Sequence, residues 1–507
     1  MKAESSKPPS REQSFSVVFA VELWERFGYY GMQAILAVYL VQNLGMTDRT
    51  ALAIMGAFFA LTYITPVFGG FLGDRVIGPR RAMLWGAAIL AAGYFVLALA
   101  DAHRALLSMA MASISAGNGL FKPNAANLVR RIYQGDDKKL DGVFTLYYMA
   151  VNVGSTLSML FTPWLRDRWG QESAFLTCSA GLVIGIMWYL SRRRWLISAG
   201  AERDQHRLPL LTLMGLLAGF VALIAALSIV IFSPDLARIC VWGACLAVAI
   251  YWGILFYRTE AAQRPGLKLT YLLALQSMVF LIFYQQQVTS LTLFALRAVD
   301  GRFQIGGVTL FRFSAGQFQA LNPIWIMLVS PLLARFYHAA ARRNHPISLA
   351  TKMLIGFILV TMGFFVWWQA ASLSTGRISA WIMVLGYGLI SVAELLTMAL
   401  GLAVIARYTA ARSSGFMMGC LYLLWGVAMY LGSLVAMHAA MPGPNLPDVV
   451  ASHIYGLLFR DLFIAGLMAT LCIAALLPLA RRWDKAHLST TGAPLDEAVQ
   501  EVAGIPL

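Results

Sequence analysis

The stretch Glu22-Leu-Trp-Glu25-Arg26-Phe-Gly-Tyr29-Tyr30-Gly-Met-Gln33 decides how the chain is read. It lies inside an apolar run, from about Phe15 to Leu44, long enough to cross a bilayer as a helix. Two acids and a base therefore sit at membrane depth, where each charge costs roughly 2.5–3.5 kcal/mol on insertion scales. At 3.6 residues per turn, Glu22, Glu25, Arg26, Tyr29, Tyr30 and Gln33 fall along one face, while Leu23, Phe27 and Met32 point elsewhere. Such a stripe faces a protein interior or a water-filled cavity. The plainer alternative is a buried salt bridge from Glu22 or Glu25 to Arg26 that only pins helices together.

Composition extends this reading to the whole chain. Hydrophobic residues make up 59% of 507 and charged residues 12%, about half the charged share of soluble domains, which implies a polytopic membrane protein. A net charge of +15 would suit nucleic acid, but the basic residues form no single patch and no zinc or base-stacking motif accompanies them. Fourteen apolar runs are candidate spans: 15–44, 50–73, 82–101, 105–129, 143–165, 174–191, 209–232, 237–257, 270–294, 316–337, 350–371, 379–406, 415–440 and 455–480. An even count puts both termini on one side. Arg75, Arg80, Arg81, Arg130, Arg131, Lys138, Lys139 and Arg192 to Arg194 all fall in loops of that side, which marks it as cytoplasmic. The polar opening, Met1 to Gln13, leads into a run broken by charges, unlike a signal-peptide core, so the first span is expected to stay in the mature protein.

Five cysteines lie singly in apolar runs, which implies neither a disulfide framework nor a metal site. The seven histidines lie in loops or near span ends without metal-ligand spacing, and no serine has a histidine partner at depth. An integral-membrane enzyme is therefore disfavoured, and no cofactor is expected.

Between the second and third spans the chain reads Gly69-Gly-Phe-Leu-Gly73-Asp74-Arg75-Val-Ile-Gly78-Pro-Arg80-Arg81. This resembles the cytoplasmic signature loop of the major facilitator superfamily, with one extra residue, in which the acid and bases (here Asp74, Arg75, Arg80 and Arg81) bridge neighbouring helix ends. The fourth span holds Gly117-Asn-Gly119-Leu-Phe-Lys122-Pro123-Asn124, an ammonium beside a proline, whose expected partner is Glu22 or Glu25. The fifth contains Tyr147-Tyr148-Met-Ala-Val-Asn152-Val-Gly154. In the second half, amides cluster at Gln285-Gln286-Gln287 after Tyr284, and at Gln319 and Asn322 before Pro323, while Glu394 is its carboxylate at membrane depth. If the spans at 209–232 and 237–257 are an insert, the rest divides six plus six. The expected organisation is an N-terminal tail at 1–13, a six-helix bundle at 14–194, an inserted two-helix hairpin at 195–265, a second bundle at 266–483, and a loosely ordered cytoplasmic tail at 484–507.

Glu22-x-x-Glu25-Arg26-Phe-x-Tyr29-Tyr30 resembles the first-span fingerprint of the proton-dependent oligopeptide transporter (POT/PTR) family, a branch of the major facilitator superfamily. Phe121-Lys122-Pro123-Asn124, Phe144-x-x-x-Tyr148-x-x-x-Asn152-x-Gly154 and Gly415-x-Met417-Met418-Gly419 agree in order. The resemblance implies an all-α integral membrane fold, two six-helix bundles with two inserted helices peripheral to transport, in the inner membrane. It implies symport of di- and tripeptides with protons by alternating access, protons as coupling ion, and a monomer. At matched positions, Glu22, Glu25, Arg26 and Lys122 would form the proton-coupling cluster. Arg26, Tyr29, Tyr30, Tyr63, Lys122, Asn152, Gln285, Asn322 and Glu394 would contact substrate, and Gly69, Asp74, Arg75, Gly78, Arg80 and Arg81 form the signature loop. A zwitterionic peptide offers a carboxylate to Arg26 or Lys122 and an ammonium to Glu394.

The sequence departs from the family pattern where members carry Arg and Glu, here Gln33 and Gln285. Both partners of a charge pair are lost together, which leaves no orphaned charge but removes a carboxylate. Leu281, Met398 and Leu421 replace two tryptophans and a serine, so the side-chain pocket is expected to differ. The alternative on the same fold is a transporter of another small solute, such as an amino acid, nitrate or a drug.

Overall fold

The computed structural model describes residues 9–101, 103–197, 199–206, 208–342, 347–409, 411–443 and 447–491. Helices dominate: α1 Arg11–Val38, α2 Asp48–Leu72, α3 Pro79–Ala98, α4 Arg104–Ile132, α5 Asp137–Arg192, the short α6 Glu202–Gln205, α7 Leu210–Ile231 and α8 Pro234–Arg258. After these come α9 Arg264–Tyr284, α10 Ser290–Arg297, α11 Leu321–Arg342, α12 Leu349–Leu373, α13 Ala380–Tyr408, α14 Ala411–Ala436 and α15 Asp448–Thr491. All fourteen apolar runs fall on helical segments. Eleven helices among the described residues are long and apolar enough to cross a membrane by length and composition. Helices α1, with its three embedded charges, and α4, with Asn118, Lys122 and Asn124, lie outside that set. Helix α5 carries two of the runs in one element, broken at Gly170, whose φ of +85° is open to glycine and strained for other residues.

Four short strands were not foreseen. Strand β1 (Val299–Asp300) pairs in parallel with β4 (Ile378–Ser379), and β2 (Arg302–Ile305) pairs antiparallel with β3 (Val308–Arg312). The β2–β3 hairpin turns through Gly306-Gly307 and stacks Phe303 on Phe311, ring centroids 4.4 Å apart. A hydropathy scan for long apolar runs passes over elements this short.

The chain divides into two compact units. One comprises residues up to Met32 together with Leu61–Phe232. Within it α3 packs on α4 and α5, and α7 packs on α4. Backbones come close there: a Cβ on Gly69 would lie 2.0 Å from the Gly119 carbonyl oxygen, so only glycine permits this α2–α4 approach. The other comprises Gln33–Ala60 with residues from Ser233 onward. Its α12 packs on α13 and α15, α9 on α13, α14 and α15, and α8 on α14, around an aromatic core of Phe283, Phe364, Trp367 and Phe459.

One expectation changes. Helix α15 continues to Thr491, so residues 484–491 are helix rather than loose tail, and the Tyr408 hydroxyl donates to Asp484 Oδ1 at 2.7 Å. Residues 492–507 lie outside the described residues, as do residues 1–8 of the expected N-terminal tail. The inserted helices pack on the bundles, α7 on α4 and α8 on α14.

Candidate functional site

Helix α1 delivers its stripe to the interior, as the spacing requires. Glu22, Glu25 and Arg26 are all buried, at 2%, 0% and 3% exposure. Arg26 Nε lies 3.3 Å from Glu22 Oε1 and also donates to Glu25 Oε2, so one guanidinium serves two acids. Tyr147 of α5 lies within electrostatic range of Glu22, Arg26 and Glu25. Arg26 stands over two aromatic faces, 5.5 Å from the Tyr29 centroid and 5.9 Å from that of Tyr30. A Cβ on Gly154 would meet the Leu23 carbonyl oxygen at 2.6 Å, and this close approach brings α5 up to the charged turn.

Lys122 lies within electrostatic range of Arg26, Glu25 and Glu22 but makes no ion pair within 4.0 Å among the described residues. Its ammonium sits 5.4 Å from the Tyr63 ring centroid. The expected direct pairing with Glu22 or Glu25 is thus absent, because Arg26 on the same helix already occupies both carboxylates. Asn152 is buried and spends an amide hydrogen on the Tyr148 carbonyl oxygen of its own helix, at 2.9 Å.

The signature loop is also placed by its neighbours. Asp74 Oδ1 accepts from Asn127 Nδ2 at 2.7 Å, and Asn124 Nδ2 donates to the Gly69 carbonyl oxygen at 3.1 Å, so two amides of α4 hold the end of α2. Arg75 lies over Phe71, 5.9 Å from its centroid. Arg81 donates to the carbonyl oxygens of Asp204 and His206 in and after α6. Asp74 thus ties the loop to α4 and Arg81 ties it to the α6 segment, through an amide and backbone carbonyls, while Arg75 stays over Phe71 of α2.

In the second unit, Glu394 on α13 is held by a neutral donor. Asn322 Nδ2 donates to Glu394 Oε2 at 2.7 Å and lies 3.1 Å from Ser391 Oγ, and Tyr284 lies close to the same carboxylate. Asn322 and Glu394, singled out separately from sequence, therefore form one group. Gln285 does not join it: its Nε2 donates to Ser433 Oγ at 3.2 Å, and its Cβ abuts Gly432.

Comparison with known proteins now decides the family. The POT family model matches residues 80–443. The dipeptide and tripeptide permease A of Salmonella typhimurium is 36% identical over 455 residues, 89% of each chain. That of Escherichia coli K12 is 34% identical over 490 residues, covering 96% of this chain and 95% of the relative. The crystal structure of tetrameric PepTSo2 superposes with a TM-score of 0.84 at 40% identity, covering 93% of this chain and 99% of that one. The chain belongs to the POT family. Its fold is the major facilitator fold of those transporter structures, and it is a multi-pass protein of the inner membrane.

Within the POT frame, the two departures noted in the sequence have separate partners. Gln33 Nε2 approaches Gln319 Oε1 at 3.4 Å, and Gln319 Nε2 donates to Thr292 Oγ1 at 2.9 Å, while Gln285 bonds Ser433. Neutral amide contacts thus stand where an ion pair was expected to be missing. A different ion pair lies in the same unit and was not singled out from sequence: Arg297 grips Asp48 through two bonds of 2.6 and 2.7 Å. Arg297 also donates to the Tyr455 hydroxyl at 3.0 Å, and Asp48 Oδ2 accepts from the Met441 backbone N–H at 2.9 Å. Its signal in the sequence was an acid at one helix start and a base at another helix end, which looks like ordinary span-end charge.

Proposed function

We propose that this chain is a proton-coupled importer of di- and tripeptides working by alternating access, a transporter rather than an enzyme. The observation that carries the reading is the buried group of Glu22, Glu25 and Arg26, in which two acids share one base beside Lys122. A site with one more acid than its contacting base takes up a proton at low cost, and a peptide carboxylate arriving at Arg26 or Lys122 competes with the acids for the cations. Peptide binding and protonation of Glu22 or Glu25 then favour each other, as symport requires. Glu394, bonded by Asn322 with Tyr284 close by, offers a carboxylate to the peptide ammonium. Tyr29, Tyr30, Tyr63 and Asn152 supply aromatic faces and amide groups that suit a backbone without selecting side chains. Both termini are cytoplasmic in this reading, and the transporting species is the monomer; the tetramer described for PepTSo2 is a property of that protein.

The test is uptake in proteoliposomes. Glu22→Gln should abolish accumulation driven by a proton gradient while counterflow exchange of labelled dipeptide continues. Unimpaired uphill uptake by this variant overturns the assignment. The same fold could carry another small solute, and excess dialanine separates the readings, since it blocks labelled uptake only if peptides are the substrate. Light scattering of the detergent-solubilised protein checks the monomer.

A further inference from the structure

We propose that the first part of the insert, from Gly200 through α7, is a brace that positions the signature loop and the Lys122 turn of α4, and so sets the pH dependence of transport. The inference rests on the proton-coupled reading above. It begins with Asp204. The first backbone N–H groups of a helix have no partner within it, and its N-terminal end favours negative charge. The Asp204 carboxylate supplies both needs for α3: it accepts from the N–H of Arg81 at 3.2 Å and of Arg80 at 3.4 Å, and Ala201 N–H closes its own loop onto it at 3.0 Å. Arg81 returns the contact through its guanidinium, which donates to the Asp204 and His206 carbonyl oxygens. Gly78, at φ +92°, is the gap through which the carboxylate enters: a Cβ there would lie 2.4 Å from Asp204 Oδ1.

The second attachment is apolar. Leu216 and Phe220 of α7 pack on the buried residues Ile77, Ala82 and Leu120, which belong to the signature loop, α3 and α4 in turn. Leu120 lies two residues before Lys122 on the same helix. A polar clamp on the signature loop and α3 and an apolar patch on both of these and α4 thus come from one segment, and α4 carries the lysine that faces the acids of α1. A hairpin serving only to fill space in the lipid needs neither contact. Asp204 and Phe220 touch no group assigned to protons or peptide, so they act by position.

The experiment compares Asp204→Ala, Phe220→Ala and a control, Leu211→Ala on the exposed face of α7, in the full chain reconstituted in vesicles. Maximal dipeptide uptake should fall about threefold in the first two, and the midpoint of its pH profile should move by about half a unit, while the peptide KM stays unchanged. Asp204→Glu should restore the profile, and Leu211→Ala should match the parent. Hydrogen exchange supplies a second readout: Gly117–Asn124 amides should exchange faster in Phe220→Ala. Parent-like profiles together with parent-like exchange overturn the brace. If the parent itself shows no pH dependence, the coupling reading fails instead, and the exchange measurement alone decides: faster exchange upholds the brace, and unchanged exchange sinks it.

Discussion

Among the described residues, the buried group at Glu22, Glu25 and Arg26 and the partly buried pair of Asp48 and Arg297 differ in how completely they are satisfied. At Asp48 and Arg297 the charges balance one to one, the contact is bidentate, and the Tyr455 hydroxyl and Met441 N–H take further valences. At Glu22, Glu25 and Arg26 two carboxylates crowd one guanidinium, and Glu25 Oε1 and Arg26 Nη2 have no hydrogen-bond partner among the described residues. A closed pair has nothing to gain from a proton or an anion. An open one has. Incomplete satisfaction is costly in a buried site, and here it falls where the proposed chemistry needs an acid to protonate and a cation to release.

The contrast is exposed to direct attack. Its strongest consequence is that Arg297→Leu strands a buried carboxylate and should cost about 3–5 kcal/mol of stability, read as a large fall in the thermal midpoint, with Asp48→Leu in the same chain recovering most of the loss. If the single variant melts like the parent, the pair is not the lock described. Next, Glu394→Ala should weaken dipeptide binding by about 10- to 100-fold, the worth of a charged hydrogen bond, with the thermal midpoint nearly kept; calorimetric titration showing parental affinity would remove Glu394 from the site. Smaller is the effect of Gln285→Glu, which buries a carboxylate whose described donor is one hydroxyl and should cost about 1–3 kcal/mol, relieved by adding Gln33→Arg if the two positions interact. An additive double-mutant cycle would show that they do not. The smallest effect is at Asp300, which Arg302 holds below the ordinary carboxylate range through side-chain hydrogen bonds. Its contribution is present above the ordinary carboxylate pKa and fades as pH falls through the lowered one. Asp300→Asn should therefore lower the melting midpoint slightly at neutral pH and not at all at strongly acid pH.

Much of this was legible in the sequence, for reasons that differ by element. The α1 stripe was readable because helical periodicity fixes which side chains share a face, and burial of charge narrows what that face can meet. Asn322 and Glu394 were each legible as polar groups at membrane depth, but their bond to each other appears only in the structure. Lys122 was misjudged in detail, since spacing reveals who is near in sequence and not that Arg26 already holds both acids. The same limit hid Asp48 with Arg297, residues 249 positions apart, and Asp204, whose role depends on the backbone of α3. The β2–β3 hairpin escaped because its strands are only four and five residues long and sit between spans that dominate any hydropathy reading.

Helix α15 has 44 residues, which at 1.5 Å per residue makes a rod of about 66 Å, against about 30 Å of hydrocarbon. Its last turns are tied at Asp484 to α13 and, through the Arg481 guanidinium, to Thr351 on α12. A fluorophore attached just before Thr491 would therefore ride on a stiff mast rooted in the C-terminal half. It would report that half's tilting during turnover without a label being placed near the transport path.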